Sequence, residues 1–257
     1  MSRTGIKVAR MCFQSQLRAV LSIVAFVGVS ACATAPKGHA SDFISADADP
    51  WQGFNQKMFR FNAELDHYAI RPAAKGYARV VPPPLRLGLT QAFRNLEEPG
   101  KIVNDALQWR WHRVAVDSGR FLVNSTLGVL GLVDVATPLG LEAQHQDFGM
   151  TLAKWGVHSG PYLVLPLFGP SDLRDGFGTG VDLYSSPTAY VRPASTRWSL
   201  YGLNVINTRT RLFHTGNLLQ QAAGGDQYSF VREAYRQRRQ YELSQGQPAP
   251  PPPPPPF

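Results

Sequence analysis

Cysteine is almost absent from this chain of 257 residues, which contains only Cys12 and Cys32. Cys12 lies in an N-terminal segment with the features of a cleaved signal peptide, so the mature protein retains one cysteine. A single cysteine excludes an intramolecular disulfide, although the signal predicts export to an oxidising compartment. Stability must therefore come from packing or from a surrounding membrane.

The chain also lacks an apolar run long enough to cross a membrane, which takes about 20 residues. Residues 19–29 form a shorter apolar run behind four basic residues, as in a signal peptide. Residues 29–31, Val-Ser-Ala, precede Cys32 and resemble a bacterial lipobox, in which the cysteine is lipidated and becomes the first residue of the mature protein. We therefore predict that residues 1–31 are a lipoprotein signal peptide and that Cys32 is the lipid anchor. An ordinary signal peptide that happens to contain a cysteine is the alternative.

The residues around the anchor also predict a location. Several acyl chains hold a protein on a membrane durably, whereas one chain holds only marginally. Ala33 stands where an Asp would tend to retain a bacterial lipoprotein in the inner membrane. By this resemblance we predict anchoring on the periplasmic side of the outer membrane, with residues 32–48 as a tether between the lipid and the fold.

The charge of the chain does not indicate a nucleic-acid partner. The whole chain carries a net charge of +8, but four positive charges belong to the signal segment, which leaves +4 on the mature chain. The basic residues are scattered, and export also argues against nucleic acid. The mild excess suits anionic lipid headgroups. We interpret a late basic cluster as a solvated helix face rather than a binding patch: Arg232, Arg236, Arg238 and Arg239.

Recognisable catalytic and cofactor motifs are missing. The sequence has no G-x-S-x-G or H-E-x-x-H pattern, and the glycines of 176–180 lack the G-x-G-x-x-G spacing. The histidines include no pair at ligand spacing on one helix. Glu97 and Glu98 are adjacent and point to different sides, so we interpret them as acids favoured at a helix start. We predict no enzyme, no metal and no cofactor, although distant residues could still converge in space.

Hydrophobic residues at helical spacing predict an all-α fold with several amphipathic helices. The first begins with Asp49 as its cap and Pro50 at the first helical position, and it closes or starts a new turn at Arg71-Pro72. After a triple-proline break, a second helix runs from Leu85 to Glu97-Glu98-Pro99. A third begins there and continues to Asn124. Within this third helical segment, Trp109 and Trp111 suit a membrane interface or ordinary core packing equally well.

The rest of the chain is divided by glycines and prolines. Residues 155–180 are rich in turns, with Ser171 as a candidate helix cap, and helices are predicted over 198–219 and 228–243. The tail, residues 244–257, includes seven consecutive prolines and should be polyproline II or disordered.

An apolar, glycine-punctuated stretch begins at Leu127 and ends near Gly149. It is too interrupted to span a membrane, and we predict a hydrophobic hairpin or loop in which Asp134 faces a headgroup path or caps a turn. A buried strand pair is the alternative. The residues assigned to this hairpin are Leu127, Gly128, Gly131, Leu132, Val133 and Asp134.

Many short motifs resemble, in order and spacing, those of the MlaA/VacJ outer-membrane lipoproteins over residues 48–241. They include the sequences at 49–55, 70–72, 95–99, 124–128, 131–136, 148–152, 155–157, 160–166, 173–175 and 231–235. The resemblance implies a ring of amphipathic helices at residues 49–243, in the inner leaflet of the outer membrane and around a central channel. The glycine-rich hairpin is thought to govern that channel.

The same resemblance implies a function. Members of this family remove mislocalised phospholipids from the outer leaflet and pass them to a periplasmic carrier, which feeds an inner-membrane ABC transporter. They associate with trimeric porins and bind no metal or nucleotide. The alternatives are an exported lipoprotein with a structural role in the envelope, for which the proline tail is the best argument, or a hydrolase, which would need a catalytic constellation.

Overall fold

The computed structural model describes residues 49–213 and 225–244. The predicted signal peptide, the Cys32 anchor, the tether and nearly all of the proline-rich tail lie outside these residues. So do residues 214–224, which include the end of the helix predicted over 198–219. The predicted all-α fold is confirmed, with one small antiparallel sheet added. Its elements are α1 (Gln52–Leu65), α2 (Arg71–Val80), α3 (Pro83–Leu107), α4 (Trp111–Thr126), α5 (Phe148–Lys154), β1 (Tyr162–Leu165), β2 (Gly169–Asp172), α6 (Leu173–Ser185), α7 (Ala194–Arg211) and α8 (Gln227–Leu243).

The cap predicted for α1 is wrong. The helix begins at Gln52, and the residue before it makes no side-chain capping bond. The Asp49 carboxylate instead accepts a hydrogen bond from Asn55 Nδ2 at 2.9 Å and one from the Tyr228 hydroxyl. The Asp49 carboxylate therefore binds residues that the fold brings near it, and does not cap the helix as the local sequence pattern predicted.

Of the two alternatives at Arg71-Pro72, the start of a new turn is the one observed, and the helix end predicted at Pro99 is wrong. A π-helical turn, Asp66–Ile70, joins α1 directly to α2, so the chain continues through Arg71-Pro72. Helix α3 continues through Pro99 for 25 residues. Proline usually breaks a helix because it lacks an N–H and its ring clashes with the preceding turn. Here α3 packs extensively against α4, and that contact compensates for the local cost.

Two asparagines of α1 hold the small sheet. Asn55 donates to the Tyr162 carbonyl at 3.0 Å and accepts from the Val164 N–H at 2.9 Å. Asn62, two turns later on the same face, makes the equivalent pair of bonds with Leu165 and Leu167 at 2.9 and 2.8 Å. The two side-chain amides thus bond backbone groups of β1 and of the turn after it, as a neighbouring strand would do. They fix the sheet, in which Tyr162 pairs with Asp172, against α1.

The later helices differ from prediction mainly at their starts. The N-terminal cap of α6 is Asp172, whose side chain accepts from the Asp175 N–H at 2.7 Å, and not Ser171. The glycines of 176–180 lie within that helix. Helix α7 begins at Ala194, before the predicted start. Helix α8 agrees with the prediction within one residue.

The distribution of polarity is inverted relative to a water-soluble protein. A small apolar cluster, formed by Tyr162, Val164 and Tyr228, joins the sheet to α8. Elsewhere in the described residues, buried polar and charged side chains outnumber buried apolar ones by more than two to one, while many large apolar side chains are exposed. None of the described helices is both long and apolar enough to span a membrane.

Candidate functional site

The outer surface carries rows of large apolar side chains. From the residue before α1 to the π-helical turn after it, exposed aromatic residues recur at spacings of three and seven: Trp51, Phe54, Phe61 and Tyr68. A helix with one apolar face and no spanning length lies in the plane of a membrane interface. An exposed apolar surface of this extent marks contact with a membrane or a protein.

Two tryptophans between α3 and α4 belong to this surface. Trp109 is 77% exposed and Trp111 59%, with their rings edge-to-face at 5.9 Å. Core packing of these rings is therefore wrong, and the interface interpretation agrees with their exposure. Arg110 lies between them and turns inward, with Nη1 3.5 Å from the Asp105 carboxylate.

The inner faces of α3 and α4 are polar along most of their length. Helix α3 buries Thr90, Asn95, Glu98, Asn104 and Asp105, and α4 buries Asp117, Arg120 and Asn124. The interpretation of Glu98 as an acid at a helix start is wrong, because it is buried in mid-helix beside Lys101 Nζ, at 3.1 Å. A polar interior under an apolar exterior is the arrangement that a headgroup path in a membrane requires, because a bare charge in hydrocarbon is costly.

One buried acid on this interface, Asp105, has a raised pKa. Burial and a hydrogen bond shared with Asp117 raise the pKa of Asp105 to about 7. Such a bond between two carboxyl groups exists only when one of them is protonated. Arg113 Nη2 lies 2.9 Å from the Asp117 carboxylate on the opposite side.

Arg120 joins the two helices to the apolar loop that follows them. Its guanidinium lies 3.8 Å from Glu98 and 3.6 Å from Asp134, and it also donates to Thr137 and to the Leu141 carbonyl. One buried cation therefore ties α3, α4 and the loop together. Sequence reasoning missed this residue, although Arg120 follows Asp117 by three residues and precedes Asn124 by four, on one face of α4.

The predicted hairpin is a series of turns with a short 3-10 helix, Thr137–Leu139, and residues 127–147 contain no strand. The strand-pair alternative is therefore wrong. Val129, Leu130 and Gly131 have φ angles of 53°, 58° and 84°, a left-handed run that only glycine adopts freely. Leu130, at its tip, is 79% exposed. The structure brings all the predicted hairpin residues into this one loop, with their large apolar side chains facing outward.

Polar side chains hold the base of this loop. The Asn124 side-chain oxygen accepts from the N–H groups of Val135 and Ala136 at 2.9 and 3.0 Å. Asp134 accepts from the Thr137 N–H and hydroxyl at 3.1 and 2.6 Å, so it caps a turn. Although burial opposes the shift, these hydrogen bonds hold the pKa of Asp134 below its ordinary value.

Close contacts also explain two of the glycines in the loop, Gly128 and Gly131. A Cβ atom on Gly131 would lie 2.5 Å from Asn95 Cβ, and one on Gly128 would lie 2.2 Å from the Val133 carbonyl oxygen. Both positions therefore exclude any side chain. The loop folds tightly against α3 and its own preceding helix.

The solvated face predicted for the arginines of helix α8 is observed for Arg238, whose side chain is largely exposed, but Arg232 and Arg239 contact acids on the inner face. Tyr228, Arg232, Tyr235 and Arg239 recur every three or four residues, and all four contact acids: Asp49, Asp147 or Asp175. Arg239 is buried and donates to Asp147 at 2.7 Å and to Asp175 at 2.8 Å. These bonds hold the pKa of Asp147 well below its usual range, although burial alone would raise it. The alternating Tyr and Arg spacing was the signal available in the sequence.

Within 49–213 and 225–244, no cluster of three or more His, Cys, Asp or Glu side chains is arranged to hold a metal ion. The site as a whole has an apolar exterior, a charged interior and an apolar loop held by hydrogen bonds at its base.

Comparison with known proteins identifies the family of this chain. The model of the MlaA lipoprotein family matches residues 47–242. The chain belongs to the MlaA lipoprotein family.

Curated relatives of the MlaA family extend over most of the chain. The Escherichia coli (strain K12) intermembrane phospholipid transport system lipoprotein MlaA is 38% identical over 206 residues, covering 78% of this chain and 80% of the relative. The protein of the same name from Haemophilus influenzae is 32% identical over 240 residues, covering 90% of each chain. A solved structure, described as the structural basis for maintenance of bacterial outer membrane lipid asymmetry, superposes with a TM-score of 0.65 at 37% identity. It covers 76% of this chain and 99% of that one.

Proposed function

We propose that this MlaA lipoprotein removes mislocalised phospholipids from the outer leaflet of the outer membrane and passes them to a periplasmic carrier. The carrier would return them to the inner membrane through an ABC transporter complex, so that lipid asymmetry is maintained. Relatives of similar length named for intermembrane phospholipid transport support this proposal. The protein is a component of a transport system in the cell envelope and not an enzyme.

The observation that carries the proposal is the inverted polarity of the helices. An apolar exterior allows the body to sit within a leaflet, and the charged faces of α3 and α4 offer a path to a headgroup. We propose that these faces line a central channel and that Cys32 anchors the body in the inner leaflet. A trimeric porin is the proposed neighbour, in contact with part of the exposed apolar surface.

The experiment compares the outer-leaflet phospholipid content of cells with and without the protein. Loss of the protein should raise outer-leaflet phospholipid, and restoring the intact gene should lower it again. If the content is the same in both strains, the protein does not maintain asymmetry. Phospholipid that co-purifies with the wild-type protein separates transport from a structural role in the envelope, and phospholipid turnover by the purified protein would indicate a hydrolase instead.

We further propose that the loop from Leu127 to Phe148 gates the path. A Cβ atom at position 88 on α3 would lie 4.0 Å from Leu132 Cβ, a separation that suits a disulfide. The double variant Gly88→Cys and Leu132→Cys should therefore lock the loop onto α3 when oxidised. Because Cys32 is expected to be acylated, the two new thiols would be the only free ones in the mature chain.

Locking the loop should raise outer-leaflet phospholipid toward the level of the null strain, and reduction of the disulfide should restore the normal level. Each single cysteine variant serves as the control. Full function with the disulfide formed would show that the loop does not need to move.

A further inference from the structure

Two arginines lie one helical turn beyond a buried hydrogen bond between α3 and α7. Asn207 Nδ2 donates to Thr90 Oγ1 at 2.7 Å, which fixes the two helices against each other. Arg94 follows Thr90 by four residues, and Arg211 follows Asn207 by four. Each arginine therefore extends from the same face of its helix as the residue that makes the bond. Both side chains are exposed.

These two arginines face the same space. Burial is the larger cause that lowers the pKa of Arg211, and repulsion from Arg94 is the next. Neither arginine makes an ion pair or hydrogen bond with any residue in the part of the chain that the structure describes. Eight other arginines of the described residues, among them the buried Arg120 and Arg239, have carboxylate partners within 4 Å. Two like charges that lie near each other, with no carboxylate of the described residues within ion-pair distance, favour the binding of an anion.

One carboxylate adjoins the pair without forming an ion pair. Glu97 lies three residues after Arg94 on α3 and its side chain is exposed. Partial burial raises the pKa of Glu97, whereas the charges of Lys101 and Arg94 oppose that shift. The Glu97 carboxylate in turn acts on Arg211. Its neighbour Glu98 is buried and already bound to Lys101. The group of Arg94, Arg211 and Glu97 thus offers two guanidinium forks and one carboxylate at the edge of the polar interior.

Guanidinium forks match phosphate oxygens in geometry and charge. A carboxylate beside them would repel a purely anionic headgroup and attract an ammonium group. We propose that Arg94 and Arg211 bind the phosphodiester of a phospholipid headgroup and that Glu97 binds the primary ammonium of an ethanolamine headgroup. The inference rests on the proposed function and names the headgroup class that the polar interior receives.

The test uses the full lipoprotein in detergent, offered an equimolar mixture of phosphatidylethanolamine and phosphatidylglycerol, with bound lipid counted by native mass spectrometry. Arg94→Gln and Arg211→Gln should each lower bound phospholipid about tenfold, the size typical of a lost charge-assisted hydrogen bond. Arg94→Lys should keep part of the binding. Glu97→Gln should leave the total unchanged and shift the bound ratio several-fold toward phosphatidylglycerol.

The matched control is Arg60→Gln on α1, which removes an exposed arginine distant in sequence from the site and should leave both amount and ratio unchanged. Equal melting temperatures for all variants separate binding from folding. If wild type binds phospholipid and the double arginine variant binds as much, the headgroup site is wrong while the transport proposal stands. If wild type binds none, the transport proposal itself fails.

Inorganic phosphate forms the last arm of the test, because it shares the phosphate chemistry. Arginine-dependent binding of inorganic phosphate, with phospholipid occupancy unchanged by the same substitutions, would mean a free-anion site and overturn the inference. An unchanged lipid ratio in Glu97→Gln would remove the ethanolamine assignment.

Discussion

Replacing Asp105 by Asn tests the polar packing between α3 and α4. The Asp105 carboxyl group is fully buried. No N–H or hydroxyl group of the described residues donates a hydrogen bond to it, so the neighbouring Asp117 carboxyl group is its hydrogen-bond partner. Burial and the hydrogen bond shared with Asp117 raise its pKa from 3.8 to about 7. Asn keeps the shape of the protonated acid and cannot ionise. The substitution should therefore remove a pH-dependent cost without creating a cavity.

The magnitude follows from the difference between the folded and unfolded pKa values. Because the folded pKa is raised, the stabilising contribution is complete below the unfolded value of 3.8 and is lost as pH rises through about 7. About three units at roughly 1.4 kcal/mol each give an upper limit of about 4 kcal/mol. At pH 8, Asp105→Asn should raise the free energy of unfolding by up to this amount, or roughly 10 °C in Tm. At pH 5 the gain should fall below about 2 kcal/mol.

The assay is thermal unfolding of the full lipoprotein in detergent at pH 5 and pH 8, followed by circular dichroism. Asp134→Asn is the matched control, because hydrogen bonds lower the pKa of Asp134. Its contribution is present above the unfolded pKa and is lost as pH falls, so its Asn variant should be less stable at pH 8. If Asp105→Asn also destabilises the protein at pH 8, Asp105 is an ionised partner of Arg110 and the reasoning is refuted.

Three further substitutions test other parts of the structure. Arg239→Ala should cost about 3–5 kcal/mol, because the partly buried Asp147 loses its arginine partner and the buried Asp175 keeps only Arg174; an unchanged Tm would mean that the attachment of α8 does not depend on Arg239. Gly131→Val should sharply lower protein abundance in immunoblots, since its φ of 84° and its contact with Asn95 exclude a side chain, whereas Gly180→Ala, with open space around it, should not. Cys32→Ala should abolish acylation and release the protein from the outer-membrane fraction in detergent partitioning; normal fractionation of this variant would show that the helices anchor the fold unaided.

The sequence by itself determined which segments are helical and what kind of protein this is. Apolar spacing along residues 54–65 and 85–96 depends only on the helical period, so it predicted amphipathic helices correctly. The motifs from residue 48 to 241 indicated the family that the comparisons confirm. Helix α8 was also predicted within one residue of its bounds, since no proline or glycine interrupts it.

Only the tertiary structure decided which faces of the helices point inward. A local pattern shows that a helix has two faces, but not whether water or lipid surrounds it, so the burial of Glu98 and Arg239 was missed. Helix α3 continues through Pro99 because its packing against α4 outweighs the local cost of the proline. Asn55 and Asn62 bind a strand more than a hundred residues away, and Asp49 binds Tyr228 instead of capping its own helix. Such bonds depend on distances that only the folded chain sets, because each side chain takes the partner that folding brings nearest.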